Sequence, residues 1–164
     1  MELTSTAAAV FLVAAVPICG FIIFSDLSRM KIPNLANGAL VLAYAILGII
    51  FLDFNQYLWH WTHLVILLIV GIIMNAGGAM GAGDAKFIAA AGPYIASADT
   101  RLMIVLFSAC LLAGYVAHRI ARASPIRKAV PHWESWEAGR RFPMGFPLGM
   151  TLVLYLAMKA FGWA

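Results

Sequence analysis

Charge is what this chain has least of. Of its 164 residues 11% are Asp, Glu, Lys or Arg, while 63% are hydrophobic and the mean hydropathy is +0.91. That balance excludes an ordinary water-soluble domain and points to an integral membrane protein. Cysteine is scarce too. Cys19 and Cys110 both lie in apolar runs and no Cys-x-x-Cys occurs, which excludes a disulfide framework and argues against zinc. His-Glu-x-x-His, phosphate-binding loops and Ser-His or Cys-His constellations are also missing, so neither a metal nor a cofactor is expected. The net charge of +4 is read as lipid-headgroup attraction and membrane topology, with no role for nucleic acid.

What is present is a series of apolar blocks: Leu3 to Phe24, Leu35 to Phe54, Trp59 to Ala76, Lys86 to Ala98, Leu102 to Arg119 and Phe146 to Trp163. Five are long enough to cross a bilayer, whereas Lys86 to Ala98 reaches only about 20 Å at about 1.5 Å per residue. The fold class is therefore all-α, a polytopic six-helix transmembrane bundle with a short fourth helix, and residues 1–164 form a single membrane domain. Gly92-Pro93 interrupts the short block, so its freed backbone groups must be satisfied by neighbouring helices or water. The first block follows Glu2 without a basic start. It covers about 22 residues against a signal-peptide core of roughly 7 to 15, and is read as a retained span.

Basic residues gather in alternate connections: Arg29 and Lys31, then Lys86, then Arg119, Arg122, Arg127, Lys128, Arg140 and Arg141. The positive-inside rule places these connections in the cytoplasm and both termini outside it. The longest, about Ala121 to Phe142, carries Trp133 and Trp136 and is expected to be interfacial, with Glu134 and Glu137 solvated or paired with Arg140 and Arg141. His60 and His63, beside Trp59 and Trp61, are likewise expected at the interface.

Against this background two acids stand out. Asp84 lies in Gly81-Ala82-Gly83-Asp84-Ala85-Lys86, and Asp26 follows the first apolar block. The topology puts both on the cytoplasmic side. An ionisable residue at membrane depth is a functional-site hypothesis by default. Two carboxyls within a few ångströms share a proton, so one can take a proton from water while the other polarises a carbonyl, which is peptide hydrolysis without a covalent intermediate. Gly81 and Gly83 are expected to let an extended peptide approach Asp84. Asp84, ahead of the fourth helix, is expected to be the more readily ionised; Asp26, after the first, faces carbonyl dipoles. The bland reading of a lone Asp here is a helix cap, and Asp53 and Asp99 are assigned to capping or solvation. A proton-coupled transporter using the same pair is the alternative from another class.

Three motifs carry a resemblance: Asp26 with Ile32-Pro33-Asn34, Gly81-Ala82-Gly83-Asp84 with Lys86, and Phe142-Pro143-Met144-Gly145-Phe146-Pro147. In these, and across nearly its whole length, the chain resembles the prepilin peptidases, membrane aspartic proteases of the GxGD type in the bacterial inner membrane. The resemblance implies that Asp26 and Asp84 are the catalytic pair, cutting the short basic leader from a prepilin or pseudopilin at the cytoplasmic face, for pilus or secretion-system assembly. Pro33, Asn34, Gly81, Gly83, Lys86, Pro143 and Gly145 are expected to shape the site. The Cys-x-x-Cys insertion of larger members is absent, so methyltransferase activity is not expected. The short form is similar to the peptidases of tight-adherence pilus systems, with a minimal type IV or type II secretion peptidase as the other possibility.

Overall fold

The computed structural model describes residues 3–139 and 141–163; Glu2 and Arg140 fall outside them. Among the described residues the architecture is all helical: α1 Ser5–Arg29, α2 Asn34–Phe51, α3 Phe54–Ala76, α4 Ala82–Ala91, α5 Thr100–Ala123, α6 Ile126–Ala129 and α7 Gly145–Ala160. Helices α1, α2, α3 and α5 are long and apolar enough to cross a membrane, and α7 is a shorter apolar helix of 16 residues, roughly 24 Å long. The sixth block was read through Trp163, but α7 stops at Ala160 and turns through Gly162 at φ +70, a conformation suited to glycine after a helix.

The exposed surface is apolar. Val13, Leu35, Ile66, Ile73, Ile104 and Leu112 are all more than half exposed, as expected where helices face lipid. This is a multi-pass membrane protein. The interior instead holds aromatic and small residues. Phe11, Tyr44 and Tyr94 are fully buried and meet with ring centroids 5.0–5.7 Å apart. Helices α1 and α7 form the most extensive contact, with Gly149 bringing the backbones together: a Cβ there would lie 3.0 Å from Ile23. At Gly71 a Cβ would lie 2.8 Å from that of Ala85, so α3 and α4 also touch at a small-residue contact.

The short fourth helix gives way to 3₁₀ turns at Gly92–Tyr94 and Ser97–Asp99. The backbone demand read from Gly92-Pro93 is met by its neighbours. His60 Nδ1 lies 2.8 Å from the Pro93 carbonyl, His63 Nδ1 lies 3.3 Å from the Gly92 carbonyl, and the Ala96 amide donates to the Tyr155 hydroxyl at 3.1 Å, while the Tyr94 hydroxyl ties the turn to α2 by donating to Leu40 O at 2.6 Å. Tyr155 in turn donates to Asp99 at 2.8 Å, and Lys159 pairs with Asp99 at 2.9 Å.

Several polar residues thus sit deeper than expected. Asp99 is an ion-pair and hydrogen-bond partner with no side-chain cap, whereas Asp53 begins α3 without a side-chain cap and is exposed, in keeping with solvation. His60 is fully buried, not interfacial. Trp136 is buried against His118, ring centroids 5.0 Å apart, and donates to Val130 O at 2.9 Å. It anchors the α5–α7 connection to the bundle, while Trp133 meets Phe24 of α1. Glu137 is exposed and reaches Arg127 at 3.9 Å, a weak surface pair.

Tyr155→Phe leaves the buried Ala96 amide without an acceptor and removes a donor from Asp99. It is expected to cost about 1–3 kcal/mol, read as a lower unfolding midpoint in detergent micelles, whereas Val13→Ala on the lipid face is expected to change it little.

Candidate active site

The site is built where the final turn of α1 meets the first turns of α4 and α7. Hydropathy falls after Phe24, but α1 continues through Arg29, so Asp26 lies inside the helix and not beyond it. Buried serines support this last turn. Ser28 Oγ donates to Phe24 O at 2.7 Å and Ser25 Oγ donates across the reversal to Lys31 O at 2.9 Å. Met30 then takes a left-handed φ of 52 and donates its amide to Asp26 O, ending the helix.

The Asp26 side chain is 5% exposed, and its Oδ2 accepts the Gly145 amide at 2.6 Å. That amide opens α7, where first-turn N–H groups have no partner within the helix. A Cβ at position 145 would lie 3.0 Å from both Asp26 Cβ and Oδ2; glycine is what lets the helix start approach the carboxylate. Pro143 is buried at this entry, its carbonyl accepting the Phe146 amide.

Asp84 occupies the first turn of α4, which begins at Ala82, four residues before the apolar block from which it was read. The Gly81 backbone hydrogen-bonds its carboxyl, which is half-buried. Burial pushes this carboxyl above the usual carboxylate range, and the Gly81 bond opposes that rise. Desolvation therefore outweighs the Gly81 bond at Asp84; the expectation compared the two acids, and Asp84 is still the less deeply buried of them. For Asp26 the dipole expectation also changes, because the N-terminus of α7 now faces it and offsets the carbonyl end of α1. The Asp84 carboxyl lies within electrostatic reach of Asp26.

The other residues singled out from the sequence converge on these two. A Cβ on Gly83 would be 3.3 Å from Ile32 Cβ, so the glycine seats the α1–α2 reversal on α4. Pro33 caps the start of α2, its carbonyl accepting the Ala36 and Asn37 amides. Lys86 Nζ donates to Asn34 Oδ1 at 3.0 Å and ties α4 to α2. Space beside Gly81 is taken by Asp84 itself, 2.7 Å from a Cβ there, and Gly81 has φ −67, open to any residue. These glycines thus serve contacts within the protein, not the open approach expected of them. Ser25 and Ser28 were not singled out; their signal was small polar residues flanking an acid. Among the described residues no three His, Cys, Asp or Glu side chains gather as a metal site.

The arrangement is thus two carboxyls in mutual reach, each bonded to a backbone group at the start of a helix. It can hold one proton between them and orient a water. Residues 7–117 match the family model of the type IV leader peptidase family. The chain belongs to that family. No curated protein and no solved structure matches it. The match takes in Asp26, Asp84, α1 to α4 and much of α5; Gly145 lies beyond it, and joins the site through its hydrogen bond to Asp26. Membership makes the protein a protease with a general type IV prepilin leader peptidase function and decides against the transporter reading.

Gly145→Ala is expected to push the start of α7 from Asp26 and lower kcat at least tenfold, about 1.4 kcal/mol in barrier. Gly38→Ala, where a Cβ meets nothing within 4 Å, is expected to leave kcat unchanged in the same leader-cleavage assay.

Proposed function

We propose that this protein is an aspartic endopeptidase in which Asp26 and Asp84 together activate water to cut the short basic leader from a prepilin or pseudopilin. The observation that supports this best is the convergence of the two acids at the ends of α1 and α4, with the Gly145 amide holding one oxygen of Asp26 at 2.6 Å. One carboxylate takes a proton from water as the water oxygen adds to the scissile carbonyl carbon; the other carboxyl gives its proton to the carbonyl oxygen. Collapse of the resulting diol breaks the C–N bond, and a proton passes to the departing amine. The pair titrates as a unit, sharing one proton in the competent state. The Gly145 amide fixes the orientation of the Asp26 carboxyl, which leaves its other oxygen for the water.

The positive connections support a site at the cytoplasmic face of a bacterial inner membrane, with both termini on the other side. A prepilin substrate fits that orientation because its basic leader stays in the cytoplasm and its apolar helix enters the bilayer. Residues 1–164 act as one membrane peptidase unit, serving a pilus or a type II secretion-like assembly, without methyltransferase activity and without cofactor or metal. Tight-adherence pilins are the favoured substrates, on the strength of the short form. Lys86, Asn34, Pro33 and Gly83 keep the α1–α2 reversal against α4 and so set the spacing of the acids, while Gly81 and Pro143 shape the starts of α4 and α7.

Purified protein in lipid, mixed with a prepilin, is expected to release the leader and leave a mature chain without a methyl group added, read by intact mass. Asp26→Asn and Asp84→Asn should each lower the rate by about 10²–10⁴-fold. Near-wild-type cleavage by either variant would sink the assignment.

A further inference from the structure

Among the described residues, some seams of the bundle are closed and others are open. Gly149 closes α1 on α7, Gly71 closes α3 on α4, and Gly114 brings α5 against Phe146 of α7, 3.4 Å from a Cβ there. Between α3 and α5 lies instead an apolar cavity of about 420 Å³, floored by α4 and α7, within the ~300–1,000 Å³ typical of ligand clefts. Its mouth is framed by Ile66 of α3 and Ile104 of α5, 57% and 64% exposed.

On both floor helices the lining of the cavity begins three residues beyond a residue of the site. On α4 it is lined by Phe87, Ile88 and Ala91, which follow Asp84 by three, four and seven residues and so share its stripe. On α7 it is lined by Leu148 and Leu152, one and two turns beyond Gly145. A smaller cavity of about 320 Å³ lies on the other side of α4 by Lys86, Ala89 and Ala90, off the Asp84 stripe and bearing a charge at its edge. Of these two cavities, the α3–α5 cleft is the one that shares the Asp84 stripe and has no charged residue in its lining.

We infer that this cleft is the docking groove for the apolar helix that follows the scissile bond, seating the side chains of its first turns between Ile66 and Ile104. The inference rests on the proposed role of Asp26 and Asp84. Helix association in lipid is driven by packing, so the groove adds affinity for substrates that carry the helix and little for those that do not.

Two measurements test this. Ile104→Trp fills the mouth from an exposed position. It is expected to raise KM for an intact prepilin about tenfold, or about 1.4 kcal/mol, more than for a truncated peptide carrying only leader and scissile bond; Val13→Trp, on the lipid face of α1, is expected to change neither. In an Asp84→Asn background, a photocrosslinker at Ile104 or Ile66 should capture the prepilin helix, and one at Val13 should not. Equal KM effects on both substrates, or crosslinks to lipid alone, would overturn the groove. Capture at Ile104 by a protein whose wild type cuts no prepilin would support the groove and remove the catalytic assignment instead.

Discussion

A carboxyl group in the interior of a membrane protein needs hydrogen-bond donors, and the bond from the Gly145 amide to Asp26 is the contact on which the rest of this structure turns. It joins residues 119 apart in the chain and requires that α7 begin at the level where α1 ends. The α1–α7 packing supplies that alignment. Gly145 and Gly149, one turn apart, let the helix lie close first to Asp26 and then to Ile23 and Cys19. A donor that belongs to the backbone has a further merit here: it brings no side-chain charge into the bundle, and its position is as rigid as the helix that carries it.

The second acid depends on a different constraint. Helix α4 is only 10 residues long, so its start, with Asp84, stands beside α1 while its far end stops inside the bundle. A helix ending at such depth leaves carbonyls and amides that lipid cannot satisfy. His60, His63 and Tyr155 meet that demand at the Pro93 and Gly92 carbonyls and the Ala96 amide, and Asp99 with Lys159 holds Tyr155 in place. The polar network at one end of the bundle thereby fixes the height of α4, and with it the level of Asp84 at the other end.

Much of this was legible in the sequence, and the misses have physical causes. Long apolar blocks mark spans because only a helix can satisfy its own backbone in lipid, and α1, α2, α3 and α5 follow them. Helix ends were less legible. Hydropathy drops at Ser25 and is low again from Ala82 to Asp84, yet both stretches are helical: a serine hydroxyl bonds back to α1, and Gly81 O accepts the Ala85 amide. Burial of amphipathic rings was harder still. Histidine and tryptophan suit headgroups and bundle interiors alike, so His60 and Trp136 read as interfacial although each has an interior backbone partner. Asp26 and Asp84 were conspicuous because acids are rare here. Their partners were not, since a residue list shows side chains and the donor at position 145 is a main-chain N–H.

Glycine placement connects the site with its surroundings. Where helices close, at Gly71, Gly114, Gly145 and Gly149, the missing Cβ is matched by a neighbour at 2.8–3.4 Å, and these seams fix α3 on α4, α5 on α7 and α7 on α1. Along the α3–α5 cleft, the bulk is carried instead by Phe87 and Leu148 on the buried floor and by Ile66 and Ile104 at the exposed mouth, side chains too large to zip the helices together. Small residues close the frame that holds two acids rigidly; large apolar ones leave one side able to repack. A protease that must hold its carboxyls still and yet admit a helix from the bilayer needs both properties, and the division between them follows the stripe of α4 that begins at Asp84.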